Sequence, residues 1–503
     1  MTTFAAIDIG ANSVRLKIAR LRGRRLVVLA DDREVTRLGE SVFRSGMLDP
    51  KAMAQTVKVL RRFRKAILKH GATGVRVVAT SSLRDAQNAS AFVQWVKSST
   101  GLQVEVITGV EEGRLIHLGV IANTRLSADR VLLIDLGGGS CELTLSVDHQ
   151  IRDIISLPLG AVRLTREFLQ HDPPKKNELE QMRAFIGEEV SRVERRMRSA
   201  GAQVTIATSG TAAALAESAG SSKKSFTVPR AAVVRLAETL CRSSLEERRA
   251  MPGIGPRRAE IIVAGAAVYA ELLTRLGLTS YRYLPLGLRD GVLAQMLSEY
   301  DHGTRAGRQV EIERENSLVE LGRRYGVEKK FSIRVRGIAL KLFQRLKRIH
   351  GLPPEYESLI GAAAMLQETG SYINRTGRHR HSYYLIAHSE IFGFNTQQRA
   401  IVAAITRYMG RSRPRLEHRV IRILPELDRY YVARAVAILR LALALDQSRA
   451  GVVKDLGIRV GATKVQITLQ TKRGTGELEV WAVEKEAGYF RTVFGKDLGV
   501  SLA

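Results

Sequence analysis

Two stretches of this chain follow one pattern, and that repetition constrains the fold more than any other feature. Ala6–Leu16 reads "AIDIGANSVRL" and Leu133–Leu145 reads "LIDLGGGSCELTL". Setting Asp8 on Asp135 puts Gly10 on Gly137, Ser13 on Ser140 and Arg15 on Glu142. Each stretch opens with an apolar run, reaches an acid, turns through small residues and closes with alternating apolar positions. These are Val14, Leu16 and Ile18 in the first stretch, and Cys141, Leu143, Leu145 and Val147 in the second. Alternation with a period of two marks a half-buried strand, so both stretches are predicted as strand, tight turn, strand. Glu142 is out of phase with its apolar neighbours and is expected to point away from the core. A repeat of this kind implies a duplicated architecture.

The segments around each hairpin support an α/β class. Strands are predicted across residues 3–32, 75–80 and 104–107, with helices over 49–70, 82–97 and from 108 to about 123. After the second hairpin come helices near 160–170 and 175–200, a strand at 204–208, helices near 211–218, 229–245 and 256–276, and a last strand, turn and helix over 281–293. Alternating strands and helices favour sheets covered by helices. Residues 301–310, "DHGTRAGRQV", are polar and aperiodic and are predicted as a linker. From 311 to about 448 the pattern is helical, broken at "GLPPEYE" and "GRSRPR"; the tail is predicted as three strands, a helix and a final short strand. At 503 residues the chain should hold several domains, here divided at 1–124, 125–304, 305–452 and 453–503.

Composition narrows the function classes. No apolar run approaches the ~18 residues of a membrane span, and the N-terminus has no basic stretch leading into an apolar one, so no signal peptide is expected. Cys141 and Cys241 give neither a disulfide framework nor zinc spacing, and a cytoplasmic location is the expectation. Lys and Arg number 79 against 50 Asp and Glu, a formal net charge of +29. Such a surface attracts polyanions. No aromatic-rich RNA-binding signature accompanies it, so nucleic acid is not the expected partner.

The chemistry sits in the loops. Glycine lets backbone N–H groups approach an anion closely, and a neighbouring carboxylate suits a divalent cation. Ser13 and Ser140 add hydroxyl donors. In Thr108-Gly-Val-Glu-Glu112, Thr108 and Glu111 have the spacing of a capping box. That leaves Glu112 in the first helical turn as the candidate general base for a water. In "ATSSLRDAQN" (79–88), Arg84 follows a strand end and can grip phosphate with two N–H groups. Ser209-Gly210-Thr211 in "ATSGTAAALAE" likewise opens a helix after a strand.

DIGANS, ATSSLRDAQN, ITGVEEGRLIHLGV, LIDLGGGSCEL, ATSGT and PLGLRDGVL occur in the order and spacing of the exopolyphosphatase / guanosine pentaphosphate phosphohydrolase (Ppx/GppA) family, which the chain resembles over roughly residues 4–295. The resemblance implies two ribonuclease-H-like halves of the actin, Hsp70 and sugar-kinase superfamily, facing across a cleft. It implies that Glu112 activates water, that Asp135 and Glu142 hold or organise Mg²⁺, and that Asp8 is the acid of the first loop and a further metal ligand. Asn12, Ser13, Arg84, Gly138, Gly139, Ser140, Ser209, Gly210 and Thr211 fall on the family's phosphate-contacting segments. The C-terminal part resembles the longer members, with a helical HD-like domain and a small α+β domain. Arg334, Gln367-Glu368 and Leu443 stand where HD enzymes place metal-binding His and Asp, so a second metal site is not expected; His379 and His381 are expected as packing or anion contacts. A homodimer is also implied.

The reaction expected from this is release of terminal orthophosphate from inorganic polyphosphate. Three rivals stand beside it: a guanosine pentaphosphate phosphohydrolase, a polyphosphate- or alarmone-binding regulator with little turnover, and a small-molecule kinase of the same superfamily. The intact Glu112, Asp135 and Glu142 speak against the regulator. Ser209-Gly210-Thr211, in place of the Gly-Gly pair kinases carry in the adenosine-binding segment, speaks against the kinase.

Overall fold

The computed structural model describes residues 2–126, 128–220, 227–471 and 476–503. The chain divides into two compact units, Met1–Val310 and Glu311–Ala503.

In the first unit, β1 (Thr3–Ile9), β2 (Ser13–Arg22) and β3 (Arg25–Val35) form an antiparallel meander. The strands β4 (Gly74–Ala79) and β5 (Val104–Val106) extend it in parallel, giving the order β3-β2-β1-β4-β5. A second sheet repeats the plan. The strands β6 (Arg130–Leu136), β7 (Cys141–Val147) and β8 (Gln150–Leu157) form the meander, and β9 (Val204–Thr208) pairs with β6 in parallel. The short strands β10 (Thr227–Pro229) and β11 (Ser280–Tyr283) complete the order β10-β11-β9-β6-β7-β8. The two hairpins share one register: Asp8 faces Arg15 across the first and Asp135 faces Glu142 across the second. They also share one turn, closed by Gly10 N–H to Ser13 O at 3.1 Å and Gly137 N–H to Ser140 O at 2.9 Å.

Helices cover the sheets because their apolar stripes match. Pro50–Lys69 starts at Asp49, whose carboxylate accepts from Ala52 N–H at 2.9 Å, with proline at the first helical position, where its missing N–H costs nothing. It buries Met53, Val57, Leu60, Phe63 and Ile67 in the core of the first sheet. The helix Gly109–Asn123 lies across β7 and β8, so β7 is buried on both faces. Glu142 therefore points away from the apolar layer of Cys141 and Leu143, as its phase indicates, yet it is buried beneath that helix and does not face water.

Several boundaries differ from the sequence reading. The predicted helix over 82–97 is two helices, Ser81–Asp85 and Ala89–Thr100. The helix predicted from 256 begins only at Ile262, because Gly253 and Gly255 have positive φ and Pro256 follows them. Strands β8 and β10 were not anticipated. Residues 305–310 are the start of a helix, Arg305–Arg324. Thr304 Oγ caps it by accepting from Gly307 N–H at 3.0 Å, and Ala306 and Val310 bury against Leu118 and Ala294.

The second unit is helical from Glu311 to Ala444 and ends in a three-stranded sheet, β12 (Val453–Val460), β13 (Lys464–Thr471) and β14 (Asp497–Leu502). Among the described residues two strands precede the last helix, Glu477–Phe494, where three were predicted. The stretch "ELEVWAV" alternates like a strand, but Glu479, Ala482, Val483 and Phe490 are the buried positions, a helical spacing.

Candidate active site

The hairpin turns of the two sheets meet: a Cβ on Gly138 would lie 3.0 Å from Ala11 Cβ and 3.4 Å from Asn12 N. Beside them opens a cavity of about 340 Å³. It is lined by Asp8, Asn12, Ser13, Gly138, Ser140, Ser209, Gly210 and Thr211, and reached by Glu112 and Asp135. Ser209 holds a φ of 73°. That left-handed backbone is uncommon for serine and recurs where function constrains a turn.

Two carboxylates of the cavity, Glu112 and Asp135, group with a third, Glu142. Glu112, Asp135 and Glu142 each offer an oxygen within 4.8 Å of the others. Asp135, at the end of β6, accepts from Thr208 Oγ. Glu142, at the start of β7, accepts from Ser156 Oγ at 2.8 Å. Glu112 comes from the first turn of its helix, which Thr108 Oγ caps by accepting from Glu111 N–H at 3.1 Å. The helix can lie this close only because glycines face the strands. A Cβ on Gly109 would sit 2.3 Å from Ser156 Oγ, and one on Gly113 would sit 2.7 Å from Ile154 Cγ2. The spacing G-V-E-E-G is the sequence signal for that approach.

Crowding three acids out of water has an electrostatic cost. Burial first, then Asp135, pushes Glu142 up to about 7. Burial, then Glu142, holds Glu112 well above the carboxylate range, against the pull of Arg84. Burial also raises Asp135 and Asp8. One oxygen of Glu112 and one of Glu142 are buried without a hydrogen-bond partner. A buried oxygen left so is costly unless a cation takes it. A hard divalent ion fits these all-oxygen donors. Among the described residues the acidic grouping able to hold one is Glu112, Asp135 and Glu142; Asp8 lines the cavity outside it.

Three expected roles change. Arg84 does not line the cavity: its guanidinium donates to Ile107 O at 2.9 Å and stands 3.7 Å from Glu112 Oε2, so it orients the carboxylate. Gly139 is a packing glycine, since a Cβ there would meet Ser81 Oγ at 2.3 Å and Phe43 at 2.5 Å. Glu111 makes half a capping box. Its carboxylate instead clamps the guanidinium of Arg114, 1% exposed, at 2.7 and 2.8 Å.

The arginines of the cavity were not recognised in the sequence. Arg15, Arg33 and Arg258 line it, and none has a carboxylate at ion-pair distance among the described residues. Burial and mutual repulsion lower Arg258 to about 9 and Arg33 to about 10. Arg258 lies so tightly over Gly210 that a Cβ there would fall 1.4 Å from its Nη2. Arg15 had one signal, its place opposite Glu142 in the repeat. The matched hairpins thus divide the work: one presents acid facing acid, the other acid facing base.

A profile of the Ppx/GppA phosphatase family matches residues 17–300, and one of Ppx/GppA phosphatase domain III matches residues 313–486. Exopolyphosphatase 1 of Mycobacterium leprae is 32% identical over 308 residues, 59% of this chain and 90% of that protein. Exopolyphosphatase 1 of Mycobacterium tuberculosis H37Rv is 30% identical over 307 residues, 59% and 89% of the two chains. Among solved structures, the Aquifex aeolicus member of the Ppx/GppA family is 30% identical with a TM-score of 0.52, covering 60% of this chain and 99% of that one. An exopolyphosphatase from Cytophaga hutchinsonii is 26% identical with a TM-score of 0.56, covering 59% and 98%. With more than half of its length matched by the family profile, the chain belongs to the Ppx/GppA phosphatase family and is a phosphoanhydride hydrolase.

Proposed function

We propose that the protein is an exopolyphosphatase that releases terminal orthophosphate from inorganic polyphosphate with Mg²⁺. The observation that carries this is one cavity that brings Glu112 and Asp135, grouped with the buried Glu142, together with Arg15, Arg33 and Arg258, which have no carboxylate at ion-pair distance among the described residues. Phosphoryl transfer needs positioned water and neutralised charge more than covalent help. The glycine and serine turns at Asn12–Ser13 and at Gly138 and Ser140, with Ser209–Thr211, seat the terminal phosphate through N–H and O–H donors. Asp135 and Glu142, with Glu112 beside them, would hold the ion, and bound Mg²⁺ supplies charge neutralisation at the phosphate oxygens. Glu112 takes the proton of the attacking water as the new P–O bond forms and the anhydride P–O bond breaks. Burial raises its proton affinity, which makes it a stronger base once a bound cation favours its ionised form. The arginines hold the next phosphates, where a linear polyanion continues.

The same reading takes the first unit as two ribonuclease-H-like halves, 1–124 and 125–304, supported by the repeated strand order. It takes the second as an HD-like helical part, 305–452, with a small α+β end, 453–503, and the protein as a cytoplasmic homodimer. Among the described residues no helix is long and apolar enough to cross a membrane. The test is phosphate release from long-chain polyphosphate and from guanosine pentaphosphate, side by side, with Mg²⁺, Ca²⁺ or chelator. Faster release from guanosine pentaphosphate would overturn the substrate assignment; full activity in chelator would overturn the ion.

A further inference from the structure

The second unit contains a cavity of about 340 Å³, as large as the catalytic one, lined by Glu368, Arg378, Arg440, Arg449, Trp481 and Lys485 among others. We propose that it binds a nucleoside polyphosphate, with the phosphates on the arginines and the base against Trp481.

The walls are built to present positive charge. Glu368, nearly buried, is shared by two guanidiniums, Arg449 in direct hydrogen bond and Arg378 at 3.5 Å. Glu486 is likewise shared, by Arg440 Nε at 2.7 Å and by Arg413 from behind at 3.4 Å. The third carboxylate of the lining, Asp446, is neutralised by Arg334 at 2.9 Å. Each acid is therefore at least matched, and two are outnumbered. Exposed Glu328 touches Arg449 from outside the lining at 3.9 Å. These carboxylates, Glu368 and Asp446 buried and Glu486 half-buried, fix the guanidiniums in place. Arg378 and Arg449, 44% and 42% exposed, keep N–H donors for a ligand. A guanidinium whose far side is anchored loses little freedom on binding an anion, which favours phosphate.

Arg449 is held in an unusual way. Its φ is 59°, its N–H donates to Asp446 O at 3.0 Å, and its guanidinium lies 4.2 Å from the Phe331 ring centroid. Non-glycine residues in the left-handed region cluster at ligand clamps. The aromatic component is Trp481, 49% exposed although it lines a cavity, with Lys485 Nζ 3.5 Å from its ring centroid. A half-exposed indole beside cations recognises a planar ring attached to phosphates. Inorganic phosphate chains would use the arginines and leave the indole unused.

The chain has two tryptophans, Trp95 and Trp481. In the full-length protein carrying Trp95→Phe and Glu112→Gln, the first leaves Trp481 as sole reporter and the second stops turnover. ATP, ADP and GDP are titrated while its fluorescence is followed, with tripolyphosphate in a parallel arm. A saturable change with the nucleotides is expected, with tripolyphosphate at least about tenfold weaker. Arg378→Gln and Lys485→Gln, both at exposed side chains, should each weaken the nucleotide by about tenfold, the value of one charge-assisted contact. No saturable change, equal response to tripolyphosphate, or unchanged affinity in both variants would overturn the proposal. None of these results depends on the chemistry of the catalytic cavity.

Discussion

Replacing Glu142 with glutamine should make the metal-free protein less stable in mild acid and more stable in mild base, with the curves crossing between. Burial and Asp135 raise the Glu142 carboxyl to about 7 from an ordinary 4.5. Below pH 4.5 the group is protonated in folded and unfolded chains alike. As pH rises past 4.5 the unfolded chain ionises freely while the folded chain keeps its proton, so stability is lost until about 7, above which the loss is complete. At about 1.4 kcal/mol per pKa unit, the loss at pH 8 is on the order of 3 kcal/mol. Glutamine removes that loss. It keeps an oxygen for Ser156 Oγ, 2.8 Å away, but puts an N–H₂ where Glu142 Oε2 now lies buried without a partner. An unpaired buried donor costs about 1–2 kcal/mol at any pH. The variant should therefore be about 1–2 kcal/mol less stable at pH 5 and about 1–2 kcal/mol more stable at pH 8. Urea unfolding with chelator, followed at Trp95 in a Trp481→Phe background, reads the first unit alone. Adding Mg²⁺ should stabilise the parent at pH 8 and the variant much less. Parallel pH profiles without a crossing would refute the electrostatic account of the carboxylate cluster.

Glu112→Gln should lower phosphate release by about 10²–10⁴-fold while polyphosphate binding persists. Glu111→Gln should instead keep the rate per folded molecule and cost about 1–3 kcal/mol of stability, because the buried Arg114 loses a charge-assisted contact; equal rate losses in the two would reverse the assignment. Arg258→Met should raise the Michaelis constant for polyphosphate and flatten its salt dependence, and Gly210→Ala should do the same by displacing Arg258, with little change in either if the guanidinium does not meet substrate. The chain cut after Val310 retains the carboxylates and the caps of the first unit, and it should hydrolyse short chains. It should lose affinity for long ones if basic segments such as 375–381 and 407–415 bind polymer; an unchanged Michaelis constant and salt slope would make those segments ordinary surface.

The sequence alone determined the local parts of the site. Alternation and glycine placement specify strand, turn and strand, so both hairpins, their shared register and the positions of Asp8, Asp135 and Glu142 were legible. Thr108 before an acidic turn likewise specified the helix start that carries Glu112. What the tertiary structure decided is which groups face one another. Arg258 is one of 79 basic residues, in an aperiodic segment between Gly255 and Ile262, and only the path of the chain places its guanidinium over Gly210. Arg84 appeared free to bind phosphate, yet the fold supplies Ile107 O and Glu112 as its partners. Gly139 resembled an anion cradle until Ser81 and Phe43 occupied the space a side chain would need. Glu142 had the phase of an outward residue, and a helix from another part of the chain buried it. Periodicity records which face of an element is apolar, whereas the charge state and partner of a polar group depend on contacts distant in sequence, and those are made only when the sheets and helices close.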